Sequence, residues 1–169
     1  MTSGDPLNTL GAVAGGRLRE RGERLVSAES CTGGWVAQVV TSVAGSSEWF
    51  ERGFVTYSNE AKQELIGVRA ETLALHGAVS EETAREMALG ALAASHGTLA
   101  LAVTGVAGPS GGTPAKPVGM VCFAWADRSG AVRSETRHFT GNREKVRRQS
   151  VLRALQGVVE WLDAGAGRV

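Results

Sequence analysis

The sequence is poor in the residue types that define several common classes of protein. It has two cysteines among 169 residues, so it is not a disulfide-stabilised scaffold. Aromatic residues make up 5% of it, too few to suggest a platform for stacking nucleic-acid bases. Its net charge is +1, which gives no general attraction to nucleic acid or to an anionic membrane. We therefore expect neither as a partner.

Patterns for metal binding, membrane insertion and secretion are also missing. There is no CxxC or HExxH, and His76, His96 and His138 are far apart in the sequence, so we expect no metal site. The glycine-rich segment fits neither a Walker A loop nor GxGxxG, and we expect no bound cofactor. No stretch reaches the roughly 20 apolar residues of a membrane helix, and the first residues do not resemble a signal peptide. A soluble, cytoplasmic protein is expected.

The composition is otherwise that of a globular domain, with 43% hydrophobic and 21% charged residues. Periodicity and turn signals predict helices at 7–18, 33–45, 59–67, 80–97 and 142–162, and strands at 24–29, 52–58, 98–105, 118–127 and 131–139. This alternation predicts an α/β fold, a single-domain layered α/β/α sandwich with a mixed β-sheet, over residues 6–163. Loose tails are expected at 1–5 and 164–169.

A few residues are predicted to set the ends of these elements. Asn59 and Ser80 have the short polar side chains that favour helix N-caps. Gly67 and Gly97 are suited to ending the helices that precede them. The last two strands are predicted to form a hairpin around residues 128–130.

Three loops each follow a predicted strand, and they carry the polar and glycine residues from which a site would be built. They are AESCTGG at 28–34, TYSNEAK at 56–62 and TGVAGPSGG at 104–112. Ligands of layered α/β folds bind off the carboxyl ends of strands, where such loops gather. The three loops are therefore expected to converge.

The first loop offers two nucleophiles. Ser30 is placed at the strand end, and Gly33 and Gly34 let the backbone approach a ligand, with N–H groups free for an oxyanion. Ser30 and Thr32 are equally suited to capping the next helix. Cys31 is the rival nucleophile or a small buried hydrophobe, and no histidine lies in these loops to serve as its base.

The second loop offers a base for a serine. Lys62 can accept a proton if desolvation lowers its pKa, and Tyr57 can relay the proton or orient the lysine. The more common state of such a lysine is a solvated helix residue. Asn59, besides capping, can donate a hydrogen bond to a substrate amide.

The third loop and the last helix carry features that suit an anion. Gly105 and Gly108 belong to a glycine-rich segment able to form a backbone nest around phosphate or carboxylate, although a floppy surface loop is the alternative. Arg143 and Arg147 lie in the first two turns of the last helix, where cations oppose the helix dipole. A bound anion, a partner carboxylate such as Glu29, or a solvated basic face would each explain them.

Taken together, these segments resemble the CinA C-terminal domain family, the nicotinamide-nucleotide amidases. The resemblance is carried by the order and spacing of ESCTGG, YSNEAK and TGxAGPxGG, and by GNREKVRRQS at 141–150. It extends over nearly the whole chain and is closest to the stand-alone form of the family, without the additional N-terminal domain of its fusion proteins. It implies hydrolysis of nicotinamide mononucleotide to nicotinic acid mononucleotide and ammonia, in a homodimer and without a metal.

The resemblance also implies roles for residues. Ser30 would be the nucleophile and Lys62 its base, with Tyr57 assisting. The amides of Thr32, Gly33 and Gly34 would form the oxyanion hole, and Thr104 and Gly105 would line the pocket. The phosphate is expected at the glycine-rich loop with Arg143 or Arg147. The competing class is a catalytically silent nucleotide-binding module, or an interaction module associated with competence and DNA damage.

Overall fold

The computed structural model describes residues 4–165 of the chain. That range contains five strands, six α-helices and a short 3-10 helix at Ser46–Glu48. The strands are β1 (Leu25–Glu29), β2 (Phe50–Val55), β3 (Leu99–Gly105), β4 (Met120–Asp127) and β5 (Val132–His138). The helices are α1 (Pro6–Glu20), α2 (Trp35–Thr41), α3 (Asn59–Ile66), α4 (Ala70–His76), α5 (Glu81–Ala93) and α6 (Arg143–Gly165).

The strands form one mixed sheet in the order β2-β1-β3-β4-β5. β1 runs parallel to β2 and to β3, whereas β4 is antiparallel to β3 and to β5. The predicted hairpin is confirmed, with its turn between β4 and β5. Because β1, β2 and β3 are parallel, the loops after them leave the same edge of the sheet, which is where a ligand site is expected in such folds.

Each face of the sheet carries its own apolar core. Leu101 of β3 and Trp125 of β4 belong to a cluster with residues of α1, α2 and α6. Ala102 and Ala124, which follow and precede them, belong to a second cluster with residues of α3, α4 and α5. Neighbouring residues of a strand point to opposite faces, so a fully apolar strand must be covered on both sides. The predicted α/β/α sandwich is confirmed, and β3 is buried on both faces.

Helix α1 forms although it contains three glycines. Asp5 caps it by accepting a hydrogen bond from the Leu7 amide. A Cβ at Gly15 would overlap the Trp49 ring, and one at Gly11 would lie 3.1 Å from Val39. Two of the three glycines therefore allow α1 to pack closely on its neighbours, and this packing compensates for their low helix propensity.

Several predicted element boundaries are wrong. Ser58, rather than Asn59, caps α3, because the Ser58 side chain accepts from the Ala61 amide. Helix α5 begins after the Ser80 cap as predicted but ends at Ala93 instead of Gly97. Helix α2 is limited to Trp35–Thr41, shorter than the predicted 33–45. Helix α4 was not predicted.

The expected loose tails fall mainly on residues 1–3 and 166–169, which lie outside the described residues. Inside the described range, Asp5 caps α1 and pairs with Arg148 at 2.5 Å, and α6 continues to Gly165. None of the helices between residues 4 and 165 is both long enough and apolar enough to cross a membrane.

Candidate active site

The three loops meet at the carboxyl edge of the parallel strands and line a cavity of about 250 Å³. Each predicted loop contributes to its wall. The contributions are Ser30 and Cys31 from the first, Tyr57 and Lys62 from the second, and Thr104, Gly105 and Ala107 from the third. Ala78 and Val79, from the connection between α4 and α5, complete one side and were not predicted.

Ser30 and Lys62 are in direct contact inside this cavity. The Lys62 Nζ lies 3.0 Å from the Ser30 Oγ, and it also donates to the main-chain oxygens of Thr56 at 2.8 Å and Tyr57 at 3.2 Å. Lys62 is 1% exposed and Ser30 is 7% exposed. Residue 62 is thus a buried position of α3 rather than a solvated one, like Ile66 one turn further along the helix.

The surroundings of Lys62 favour its neutral form. Burial lowers the pKa of the amine below its ordinary value. Its partners in the described structure are one hydroxyl and two carbonyl oxygens, and none of them is a carboxylate. A neutral amine 3.0 Å from a serine hydroxyl is placed to accept its proton.

Cys31 is a poor nucleophile in this position. Burial raises the pKa of its thiol to about 12, and the thiolate is the reactive form of cysteine. The residues that line the cavity include no histidine that would deprotonate it. Of the two candidates on the first loop, Ser30 is the one whose side chain is hydrogen-bonded to the Lys62 amine.

Neither Ser30 nor Thr32 caps α2, because Glu29 fills that role. Its carboxylate accepts from the amides of Val36 at 2.9 Å and Ala37 at 3.1 Å, and from the Thr32 hydroxyl at 2.5 Å. Glu29 is 1% exposed, and burial raises its pKa, while these hydrogen bonds favour the charged form. The sequence signal for this role was a lone charged residue at the end of a buried strand.

The amides of the first loop are not all available to a substrate. The Gly33 N–H donates to the Ser30 carbonyl at 3.1 Å, and the Gly34 N–H is directed at Glu29. The amides of Cys31 and Thr32 have no acceptor on another residue in the described part of the chain. Of the three expected oxyanion donors, only that of Thr32 is therefore left without a partner.

Tyr57 contacts the pair through its backbone. Its main-chain oxygen accepts from Lys62, while its ring is 62% exposed and its hydroxyl lies 3.3 Å from an Arg143 nitrogen. Arg143 also donates to the Gly108 carbonyl at 2.8 Å, so it links the second loop to the glycine-rich loop. Asn59 is exposed on α3 and does not line the cavity.

A second, larger cavity of about 580 Å³ adjoins the first. The two share Ala107 and Arg143 as a common wall. The rest of the larger cavity is formed by Pro109, Val118, Gly141, Asn142 and Glu144. The inner cavity is thus lined by Ser30 and Lys62, and the outer one by the glycine-rich loop and the start of α6.

The glycine-rich loop is held against neighbouring segments by hydrogen bonds and is not a loose surface loop. The Thr104 hydroxyl donates to the Ala78 carbonyl at 2.9 Å, and the Lys116 amine donates to the His76 carbonyl. At Gly105 a Cβ would lie 2.7 Å from the Val121 side chain, so the chain passes too close for any larger residue. No three side chains of His, Cys, Asp or Glu among residues 4–165 are grouped closely enough to hold a metal ion.

Arg147 faces the first loop. Its Nε donates to the Cys31 carbonyl and its Nη2 to the Thr32 carbonyl, both at 3.1 Å. The guanidinium also stacks over the Trp35 ring, 5.4 Å from the centroid. The expected alternatives for this arginine were an anion, the Glu29 carboxylate or solvent, and its described partners are instead main-chain oxygens and an aromatic ring.

A family model described as the CinA C-terminal domain matches residues 7–162. The chain belongs to this family. The nicotinamide-nucleotide amidohydrolase PncC of Escherichia coli strain K12 is 55% identical over 150 residues, which are 89% of this chain and 91% of the relative. The PncC of Pseudomonas putida is 51% identical over 156 residues, covering 92% of this chain and 97% of the relative.

Solved structures of CinA C-terminal domain proteins have the same fold. The crystal structure of the competence/damage inducible protein CihA from Agrobacterium tumefaciens superposes with a TM-score of 0.91 at 41% sequence identity. The superposition covers 96% of this chain and 99% of that one. The resemblance drawn from the motifs is thereby confirmed at the level of family and fold.

Proposed function

We propose that this chain is an amidohydrolase that converts nicotinamide mononucleotide to nicotinic acid mononucleotide and ammonia. The observation that carries the chemistry is the buried Lys62 amine 3.0 Å from the Ser30 hydroxyl, with main-chain oxygens as its other described partners. The substrate follows from the curated relatives that are 51% and 55% identical over most of the chain and are named nicotinamide-nucleotide amidohydrolases.

In the proposed mechanism, neutral Lys62 takes the proton of Ser30 as the Ser30 oxygen attacks the carboxamide carbon. The carbonyl oxygen becomes an oxyanion, which the free amides of the first loop stabilise. The tetrahedral intermediate then collapses, and the proton held by Lys62 leaves with the amine as ammonia. Water, deprotonated by Lys62 in turn, attacks the acyl-enzyme, releases the carboxylic acid and restores Ser30.

The two adjoining cavities suit the two parts of this substrate. The inner cavity is about the size of a small ring and holds the reactive pair, so we place the pyridine carboxamide there. The outer cavity would receive the ribose and phosphate, with Arg143 between the two and the glycine-rich loop alongside. A guanidinium binds phosphate oxygens through paired donors, which supports assigning the phosphate to Arg143.

The test is ammonia release from nicotinamide mononucleotide, with a chelator present throughout. We expect Ser30→Ala to lower kcat by a factor on the order of 10⁴ or more, because the covalent route is lost. Lys62→Arg should be similarly inactive, because arginine stays protonated. Ser47→Ala, at an exposed serine remote from the cavity, is the matched control.

Two results would contradict the proposal in different ways. Ammonia release by both the wild type and Ser30→Ala would remove Ser30 from the mechanism and make Cys31 the nucleophile to test next. Calorimetric binding of the nucleotide without any ammonia release would favour the silent binding module.

A further inference from the structure

Arg147 makes three contacts with the segment that follows the proposed nucleophile. It lies in the second turn of α6 and donates to the carbonyls of Cys31 and Thr32, while its guanidinium covers the Trp35 ring. All three partners lie within five residues of Ser30. Only an arginine can make these contacts together, because its planar fork offers parallel donors and a flat face for stacking.

The hydrogen bond to the Cys31 carbonyl fixes the direction of a neighbouring amide. The Cys31 carbonyl and the Thr32 N–H belong to one planar peptide unit, and in the trans form they point in opposite directions. Since Arg147 holds the carbonyl, the Thr32 N–H points away from the Arg147 guanidinium. Arg147 lines neither cavity, whereas Ser30 and Cys31 line the inner one.

Apart from that of Cys31, the other amides around Ser30 already have acceptors. The Ser30 N–H donates to the Val103 carbonyl at 2.9 Å, and the Gly33 N–H to the Ser30 carbonyl. Those of Val36 and Ala37, in the first turn of α2, donate to Glu29. The Thr32 amide is thus one of two amides at this turn that have no acceptor on another described residue.

We propose that Arg147 is a positioning residue, which holds the Cys31–Thr32 peptide so that the Thr32 amide points at the oxyanion formed during attack by Ser30. This deepens the proposed function and rests on it. A positive charge on the carbonyl side of a peptide polarises it and strengthens the hydrogen bond that its N–H donates. Arg147 therefore acts through the peptide and does not touch the substrate.

This role differs from phosphate binding, which is the other use that an arginine at this place could have. Its Nε and Nη2 both face main-chain oxygens, whereas Arg143 lines both cavities. The two roles give opposite kinetic results. A residue that aims an oxyanion donor affects kcat, whereas one that binds phosphate affects the affinity for the nucleotide.

The first measurement compares Arg147→Lys with the wild type. We expect kcat for nicotinamide mononucleotide to fall about 10²–10³-fold, the usual effect of losing one oxyanion donor. The Kd of the nucleotide, measured by calorimetry in a Ser30→Ala background, should stay unchanged. An unchanged kcat, whether or not the Kd is raised, would overturn the proposal.

A second variant guards against a folding defect. Arg147→Ala removes the guanidinium, and added guanidinium ion should restore part of its kcat if the role is to hold the peptide. Near-ultraviolet circular dichroism of both variants shows whether the fold is intact. Failure of guanidinium to restore activity to a folded Arg147→Ala would count against the proposal.

A third measurement separates this inference from the choice of substrate. A small fluorophosphonate forms a bond from the Ser30 oxygen to phosphorus, releases fluoride and needs an oxyanion hole but no nucleotide. Mass spectrometry should show slower modification of Ser30 in Arg147→Lys than in the wild type. If this holds while the wild type releases no ammonia from nicotinamide mononucleotide, only the proposed substrate is wrong. Equal modification rates would overturn the positioning role. A wild type that neither releases ammonia from nicotinamide mononucleotide nor reacts with the fluorophosphonate would overturn both the proposed function and the role of Arg147.

Discussion

At the scale of single residues, Lys62 is where the requirements of folding and of the proposed chemistry conflict. Its amine is 1% exposed and is surrounded by oxygens that carry no full charge. Placing a charged ammonium there is costly, so burial lowers its pKa and favours release of the proton. The same desolvation that destabilises the folded chain makes the residue a base.

This conflict predicts how stability depends on pH. Between the lowered pKa of native Lys62 and the usual value of about 10.4, the unfolded chain keeps a proton that the folded chain has released. The free energy of unfolding of the wild type, minus that of Lys62→Met, should therefore rise with pH across this window, by up to about 1.4 kcal/mol per pH unit. Urea unfolding of both proteins over a pH series measures it.

Lys145→Met provides the control for that series. Lys145 is exposed on α6, and the result for Lys62→Met is compared with the result for this surface substitution. A difference for Lys62→Met that stays constant, or that falls as pH rises, would mean that Lys62 remains charged in the folded protein.

The sequence predicted which residues belong to the site better than it predicted what they contact, and the reason is physical. Ser30 and Lys62 follow strands in motifs of recognisable chemistry, so they could be paired before their contact was known. Glu29 and Arg147 act through backbone groups of the loop between them. The sequence does not specify where backbone amides and carbonyls point, because their directions depend on how the loop folds.

At the scale of helices and strands, a single glycine controls how closely α3 approaches α5. A Cβ at Gly90 would overlap the main-chain oxygen of Ile66, at the end of α3. This close approach matters to the site because α3 carries Lys62. The packing of α5 thereby helps to set the position of the proposed base.

Gly90→Ala should destabilise the protein by about 1–3 kcal/mol, the usual cost of overpacking. The overlap is with backbone, which cannot move without shifting α3. Gly16→Ala in α1 is the matched control, because no atom lies within 4 Å of its Cβ position. We expect it to stabilise the protein by about 0.5–1 kcal/mol through helix propensity. Urea unfolding of the wild type and both variants measures the two effects, and equal effects of the two substitutions would contradict the packing argument.

The element predictions were best where burial alone decides the structure. The apolar run at 98–105 identified β3 as a strand, and the periodicity of α5 identified it as a helix. Helix ends were less predictable, because Ser58 and Asn59 are both suitable caps and only the structure shows that Ser58 caps α3. The short helix α4 escaped prediction because its seven residues are too few for a clear periodic pattern.

At the scale of the whole molecule, the two faces of the sheet carry different side chains. All four tryptophans lie in the layer of α1, α2 and α6, three within its core and Trp35 packed against it. The layer of α3, α4 and α5 is built largely from alanines and contains Cys122. The proposed base comes from this second layer, and Arg147 comes from the first. The site therefore depends on both layers being folded.

The shared sheet predicts that both layers unfold together. Strands β1, β3 and β4 send alternate residues into each core, so neither layer can separate without exposing an apolar face of the sheet. Tryptophan fluorescence reports on the first layer. Thiol labelling of buried Cys122, distinguished from Cys31 by peptide mass spectrometry, reports on the second. In a urea series the fluorescence and labelling midpoints should coincide. Labelling of Cys122 at lower urea, with fluorescence still native, would mean that the α3–α5 layer opens as a separate unit.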